Sequence, residues 1–167
     1  DDLLIELKKQ KENNTEIIII AGGSNIIFPD GHLDKTVICL SGGNMRFKGE
    51  LLVVEAGAVL DEAILFAIRS GRAGLETFSY IPGSVGGAIV GNAGAYGQSI
   101  SDYIVSVSFF DGQLVRSFRK EECDFSYRSS IFKKNPRWIV FESTFALSKE
   151  STENLLKKRE EISAMRL

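Results

Sequence analysis

Three stretches of the chain pair bare backbone with residues that can grip an anion. They are Ala21-Gly22-Gly23-Ser24-Asn25, Ile81-Pro82-Gly83-Ser84-Val85-Gly86-Gly87-Ala88 and Gly91-Asn92-Ala93-Gly94-Ala95-Tyr96-Gly97. Gly22 and Gly23 let backbone N–H groups approach a diphosphate, and Ser24 and Asn25 add polar contacts. Taken alone, this first stretch reads foremost as a tight turn. The later stretches shift the weight, because six glycines fall between Gly83 and Gly97. Each loses about 0.5–1 kcal/mol relative to Ala in regular structure. Close passage of backbone against a large, flat, polyanionic ligand offsets that loss; a loop packed on its own backbone is the other reading. Ser84 offers a hydroxyl, and Asn92 either fixes its loop or reads an amide edge.

The stretches are not a Rossmann fingerprint, which needs three spaced glycines opening a helix, nor a P-loop, which needs Gly-Lys-Ser/Thr. A fourth segment, Tyr127-Arg128-Ser129-Ser130-Ile131-Phe132, joins an aromatic ring, a permanent cation and two hydroxyls. Arg128 can grip a carboxylate through two parallel hydrogen bonds, which Lys cannot reproduce; in isolation a surface ion pair is the simpler reading. Lys133, Lys134 and Arg137 read as a solvated face, with steering of an anionic substrate as the alternative. Cys39 and Cys123 lie far apart in or beside apolar stretches and read as buried free thiols. They have neither metal-site nor disulfide spacing. His32 is the single histidine and is expected in an exposed turn, so no metal site is expected.

These segments need elements to position them. Leu3, Leu4 and Leu7 suit an amphipathic helix ending near Asn13-Asn14, followed by a buried strand at Ile17 to Ile20. Thr36 to Leu40 and Leu51 to Glu55 read as strands, with a turn at Phe47-Lys48-Gly49-Glu50. Leu60, Ile64, Leu65 and Ile68 mark a helix from Leu60 to Arg69, which Gly71 can end in a left-handed conformation. Tyr103 to Phe110 and Gln113 to Phe118 form a hairpin about Asp111-Gly112, a pair favouring a type I′ connection. Trp138 to Leu147 is a strand, and Ser151 caps a last helix through Met165. Strands and helices in this mixture indicate an α+β fold.

At 167 residues, 44% apolar and 25% charged, the chain suits one domain or two small lobes sharing a ligand. A formal charge of −2 argues against a nucleic-acid partner. No apolar run reaches the roughly 18 residues that cross a bilayer, so no membrane partner is expected and the protein reads as cytoplasmic. The first residue is Asp1, so the native start is expected to be missing. Oligomeric state is not legible.

In order and combined spacing, Gly22-Gly23-Ser24-Asn25, Ile81 to Gly87, Asn92 to Gly97 and Tyr127-Arg128-Ser129-Ser130 resemble the UDP-N-acetylenolpyruvoylglucosamine reductases. The resemblance runs from about Glu16 to Leu147. It implies a two-lobed FAD-binding fold of the vanillyl-alcohol oxidase type, with a first lobe over 1–56, a second over 57–150, and a helix over 151–167 leading toward a C-terminal substrate domain that is expected to be absent. The implied cofactor is FAD, held by Gly22, Gly23, Ser24, Asn25, Ile81, Pro82, Gly83, Ser84, Gly86, Gly87, Asn92, Gly94 and Gly97. NADPH is the implied reductant and an enolpyruvyl sugar nucleotide the implied substrate, which hydride from the flavin converts to a lactyl ether in peptidoglycan precursor synthesis. Arg128 is the implied catalytic residue, stabilising charge that develops beside the carboxylate, with Tyr127 beside it packing against the cleft or, alternatively, touching the substrate. The family's serine proton donor and late glutamate belong to its third lobe and have no match here; Ser129 and Ser130 are not that donor. The chain alone is therefore expected to be inactive. Another FAD-linked oxidase or dehydrogenase of the same fold, or a noncatalytic ligand-binding domain, is the alternative.

Overall fold

A computed structural model describes residues 16–24 and 26–166. The expected N-terminal helix and Asn25 lie outside the described residues. β1 (Ile17–Ile20) and β2 (Thr36–Cys39) form a two-stranded parallel pair. The main sheet holds β3 (Met45–Lys48), β4 (Leu51–Glu55), β8 (Ile104–Phe110), β9 (Val115–Arg119) and β10 (Ile139–Ala146), in the order β3-β4-β10-β8-β9 and antiparallel throughout. Two hairpins thus flank a central strand that comes last in sequence. Short strand pairs complete the set: β5 (Arg72–Ala73) with β11 (Ser148–Lys149), and β6 (Gly94–Ala95) with β7 (Gln98–Ser99).

The apolar run Leu51 to Val54 becomes β4, with Leu52, Val53 and Val54 buried. β3 was not expected from the sequence, where Phe47 and Lys48 read as a turn; only Gly49 and Glu50 turn. The main sheet also runs across the division expected at residue 56. The β3–β4 hairpin joins that sheet through β4, which pairs with β10, because a lone hairpin could not bury Leu52 and Val54. The second hairpin stands, but its connection is the longer loop 111–114. There the Asp111 carboxylate accepts from the N–H groups of Gln113 and Leu114, each at 2.8 Å. Those bonds and the Arg116 guanidinium hold the carboxyl down at about 2 and replace the expected two-residue turn.

α1 (Leu60–Arg69) buries Leu60, Ala63, Ile64, Ala67 and Ile68 along one stripe, and Gly71 ends it at φ +66°. α2 (Val85–Val90) lies within the glycine-rich stretch, α3 (Ile131–Lys134) follows Arg128, and α4 (Thr152–Arg166) closes the chain, its start capped by Ser151 Oγ. An aromatic cluster of Phe109, Phe118, Phe132 and Trp138 seats α3 on the sheet. Cys123 is buried, with its thiol pushed up to about 12 by desolvation and then by Glu122 and Glu121. Cys39 is exposed, contrary to expectation, because β2 turns alternate residues outward. Among the described residues no helix is long and apolar enough to cross a membrane.

α4 is tied to α1 by a bidentate ion pair, Arg159 to Asp61 at 2.7 and 2.6 Å. The guanidinium lies 4.1 Å from the Tyr80 ring centre, and the Tyr80 N–H donates to Asp61 Oδ1 at 2.8 Å. The Arg159 hydrogen bonds hold the Asp61 carboxyl below its ordinary value against the opposing effect of burial, and the Tyr80 N–H adds to them. Because the folded value is depressed, this stabilisation is complete above an unfolded carboxyl's pKa of about 3.9 and decays as pH falls through the lower folded value. Asp61→Asn leaves Arg159, whose side chain is 9% exposed, without its counter-ion. The expected loss is about 2 kcal/mol at neutral pH, discounted for the solvent that reaches Asp61. Thermal unfolding of both proteins from pH 6 to pH 3 checks this: the variant's melting temperature should fall less steeply below about pH 4.

Candidate functional site

A cavity of about 570 Å³ opens between the β1–β2 pair and the main sheet, within the roughly 300–1,000 Å³ range of small-molecule sites. The loop after β1 lines it with Gly22, Gly23 and Ser24, and the adjoining lining is Ile81, Pro82, Gly83 and Ser84, continuing into Gly86 and Gly87 of α2. Arg128 and Lys133 line it, and Trp138, Ile139 and Val140 at the start of β10 add apolar surface. A second cavity of about 320 Å³ shares Leu40, Ala56 and Val140 with the first, which lengthens the cleft. The β10 register shifts between Val140 and Glu142. Across that bulge the Phe141 carbonyl accepts from Ala56 N–H at 2.6 Å, pinning the inner end of the cleft.

The two glycine loops do different work. Among the described residues, the N–H groups of Gly22, Gly23, Ser24, Gly83 and Ser84 have no protein acceptor, so five donors remain for a ligand. Further on, Val85 N–H donates to Ala58 O, Gly86 N–H to Ala56 O and Gly87 N–H to Ser84 Oγ. Gly86 and Gly87 therefore offer the cavity space rather than donors. A Cβ on Gly86 would stand 2.8 Å from Ala56 Cβ and 3.0 Å from Ala56 O, so this glycine also lets α2 lie against the end of β4. Gly86→Ala is expected to destabilise the protein by about 2 kcal/mol, roughly 4–8 °C in Tm, through overpacking. A thermal melt of the ligand-free variant checks it.

Four residues that the sequence placed at the site lie off the cavity wall. Asn92 is buried and occupied on both sides: its Nδ2 donates to Ser126 O at 2.9 Å and its Oδ1 accepts from Ser101 N–H at 3.3 Å. It fixes its loop. Gly94 lies in β6, and Gly97 shares with Tyr96 a hairpin turn in which φ is +79° and +49°, the positive values that hairpin turns require. Tyr127 is 94% exposed and points its bulk to solvent. Ser130 is buried, donates to Val90 O at 2.8 Å and accepts from Lys133 N–H, which occupies it as the cap of α3. Conversely, Ala56, Leu60, Trp138 and Val140 line the cavity without any local sequence signal for it; they converge through strand pairing.

Residues 1–116 match the family model described as FAD binding domain. The chain belongs to that family. Among its relatives, UDP-N-acetylenolpyruvoylglucosamine reductase from Solibacter usitatus is 42% identical over 137 residues, 82% of this chain and 44% of that protein. The protein of the same name from Pseudothermotoga lettingae is 37% identical, over 89% of this chain and 52% of its own length. The chain thus spans about half the length of these relatives. The crystal structure of UDP-N-acetylenolpyruvylglucosamine reductase from Thermus caldophilus superposes with a TM-score of 0.78 at 27% identity, covering 95% of this chain and 59% of that one. Cholesterol oxidase from Brevibacterium sterolicum, at 15% identity and a TM-score of 0.64, shares the fold.

The FAD binding domain's cofactor suits what the cleft presents. A diphosphate needs several donors that the fold does not already use, and the loops after β1 and before α2 carry such N–H groups on the cavity lining. A flavin ring also needs apolar surface, and Ile81, Trp138 and Val140 line the cavity with apolar side chains. The two loops run close together: a Cβ on Gly83 would stand 3.3 Å from Ser24 Oγ. At φ +119° Gly83 holds a conformation that other residues rarely adopt.

Proposed function

We propose that this chain holds the FAD of an enzyme that reduces UDP-N-acetylglucosamine enolpyruvate to UDP-N-acetylmuramate with NADPH, in cytoplasmic peptidoglycan precursor synthesis. The observation that carries the proposal is the convergence of both glycine loops and Arg128 on one cavity; the relatives' names supply the substrate. When bound, FAD would supply hydride transfer from NADPH to the enolpyruvyl double bond. Gly22, Gly23, Ser24, Gly83 and Ser84 would direct their N–H groups at the diphosphate. Arg128 would hold the substrate carboxylate with its planar fork and stabilise the negative charge that develops next to it. Trp138, Ile81 and Val140 would give the bound flavin an apolar face and keep water from it.

The test takes the full-length protein loaded with FAD. NADPH consumption should depend on the enolpyruvyl sugar nucleotide and stop when it is exhausted. NADPH oxidation indifferent to that substrate would mark another oxidoreductase of the same fold. A protein that takes up no FAD in a fluorescence titration would mark a noncatalytic ligand-binding domain.

A further inference from the structure

Arg128 stands in a costly place. It is the third residue of the tight turn Ser126–Ser129, closed by Ser126 N–H to Ser129 O at 3.0 Å and Ser129 N–H to Ser126 O at 3.1 Å. Its φ is +54°, a region that glycine ordinarily fills at this turn position. Among the described residues its guanidinium has no ion-pair or hydrogen-bond partner, so no described residue holds the head of the side chain. What is held is its backbone. Lys133 Nζ donates to the Arg128 carbonyl at 2.9 Å. Lys133 itself starts from a fixed point: α3 is capped by Ser130, Ser130 is bonded to Val90 O, and the neighbouring Phe132 is buried in the aromatic cluster.

We infer that Lys133 is a positioning residue for Arg128, its ammonium clamping the Arg128 carbonyl so that the left-handed turn keeps the guanidinium on the cavity wall. The inference rests on the reading of Arg128 as the carboxylate-binding cation. A solvated surface lysine would make no difference to ligand binding. A lysine that meets the ligand itself would act independently of Arg128. Lys133 also lines the cavity, so direct contact is a real competitor, and only a coupling measurement separates the two.

The experiment measures, by calorimetry on the FAD-loaded full-length protein, the Kd for the enolpyruvyl sugar nucleotide in four proteins: parent, Lys133→Met, Arg128→Ala and the double variant. FAD affinity and Tm are recorded for each. Lys133→Met is expected to weaken substrate binding about fivefold and Arg128→Ala at least about tenfold, on the order of 1 and 1.4 kcal/mol. The double variant should match Arg128→Ala alone, with FAD affinity unchanged. Lys133→Arg, which keeps a donor, should restore binding to within about twofold of the parent. Independent, multiplying effects would show direct contact with the ligand and overturn the inference, as would an unaltered Kd in Lys133→Met. If Arg128→Ala leaves the Kd unchanged, the reading of Arg128 fails first and the inference falls with it. Lys133→Gln replaces the methionine variant should that protein fail to fold.

Discussion

In the full-length protein, replacing Arg128 with Lys is expected to slow the half-reaction with the enolpyruvyl substrate about a hundredfold, while the half-reaction with NADPH stays within about threefold. Both are followed at the flavin absorbance, under anaerobic conditions. The charge is conserved in this substitution, so what is lost is geometry. A guanidinium meets both carboxylate oxygens in one plane, whereas an ammonium meets them as a point charge on a flexible stem. Help that arises only as charge develops next to the carboxylate should vanish from one half-reaction and spare the other. Equal slowing of both would assign Arg128 to the fold or to the cofactor.

The backbone of Arg128 makes a second outcome of opposite sign. A Cβ in the left-handed region costs about 1–2 kcal/mol, part of which glycine returns through its greater freedom when unfolded. Arg128→Gly should therefore melt no lower than the parent, and higher by up to about 1 kcal/mol of stability, while losing the substrate half-reaction. A residue kept for stability would show the reverse. Strain retained at an exposed cation on a cavity wall fits a functional role.

Much of this was legible in the sequence, for identifiable physical reasons. Ile17 to Ile20, Leu51 to Glu55 and the Leu60 to Arg69 stripe announce themselves because apolar runs and a 3.6-residue period are local properties. α2 was hidden: it has six residues and two glycines, too short for a period and rich in a poor helix former. β3 was hidden for another reason: Met45-Arg46-Phe47-Lys48 holds no continuous apolar run, and its last two residues lead into the Gly49-Glu50 turn. The central place of β10 is a long-range fact, fixed by pairing Phe145 with Leu52 and Ser143 with Val107, and no local pattern states it. The inner wall of the cavity depends on that pairing, which is why Ala56 and Val140 went unnoticed. Gly94 and Gly97 look like Gly83 in sequence, since a glycine in a hairpin cannot be told by type from one on a cavity wall; the structure sets them in the β6–β7 hairpin, off the wall. Only the cavity separates Gly97, in its turn, from Gly83, on the wall.

Gly22→Val is expected to weaken FAD binding at least about thirtyfold, or roughly 2 kcal/mol, without lowering the Tm of the ligand-free protein by more than about 1 °C. Position 22 makes a cleaner test than position 83. At Gly83 a side chain meets Ser24 Oγ and sits at φ +119°, so Gly83→Val strains the loop whether or not a ligand is there. At Gly22 a Cβ meets nothing within 4 Å and φ lies outside the left-handed region, so the folded protein has room for the new side chain. That room is the cavity. Gly22 lines it and its N–H has no acceptor among the described residues; a diphosphate at hydrogen-bond distance from that N–H would lie where the valine methyls go. The measurement is a flavin fluorescence titration of parent and variant, with a thermal melt of each apoprotein alongside. Unchanged affinity would move the diphosphate away from the loop after β1 and leave that loop a tight turn. Lost affinity with an equally lowered Tm would mean that Gly22 serves the fold. Lost affinity at constant Tm is the outcome that only a ligand pressed against this loop can give.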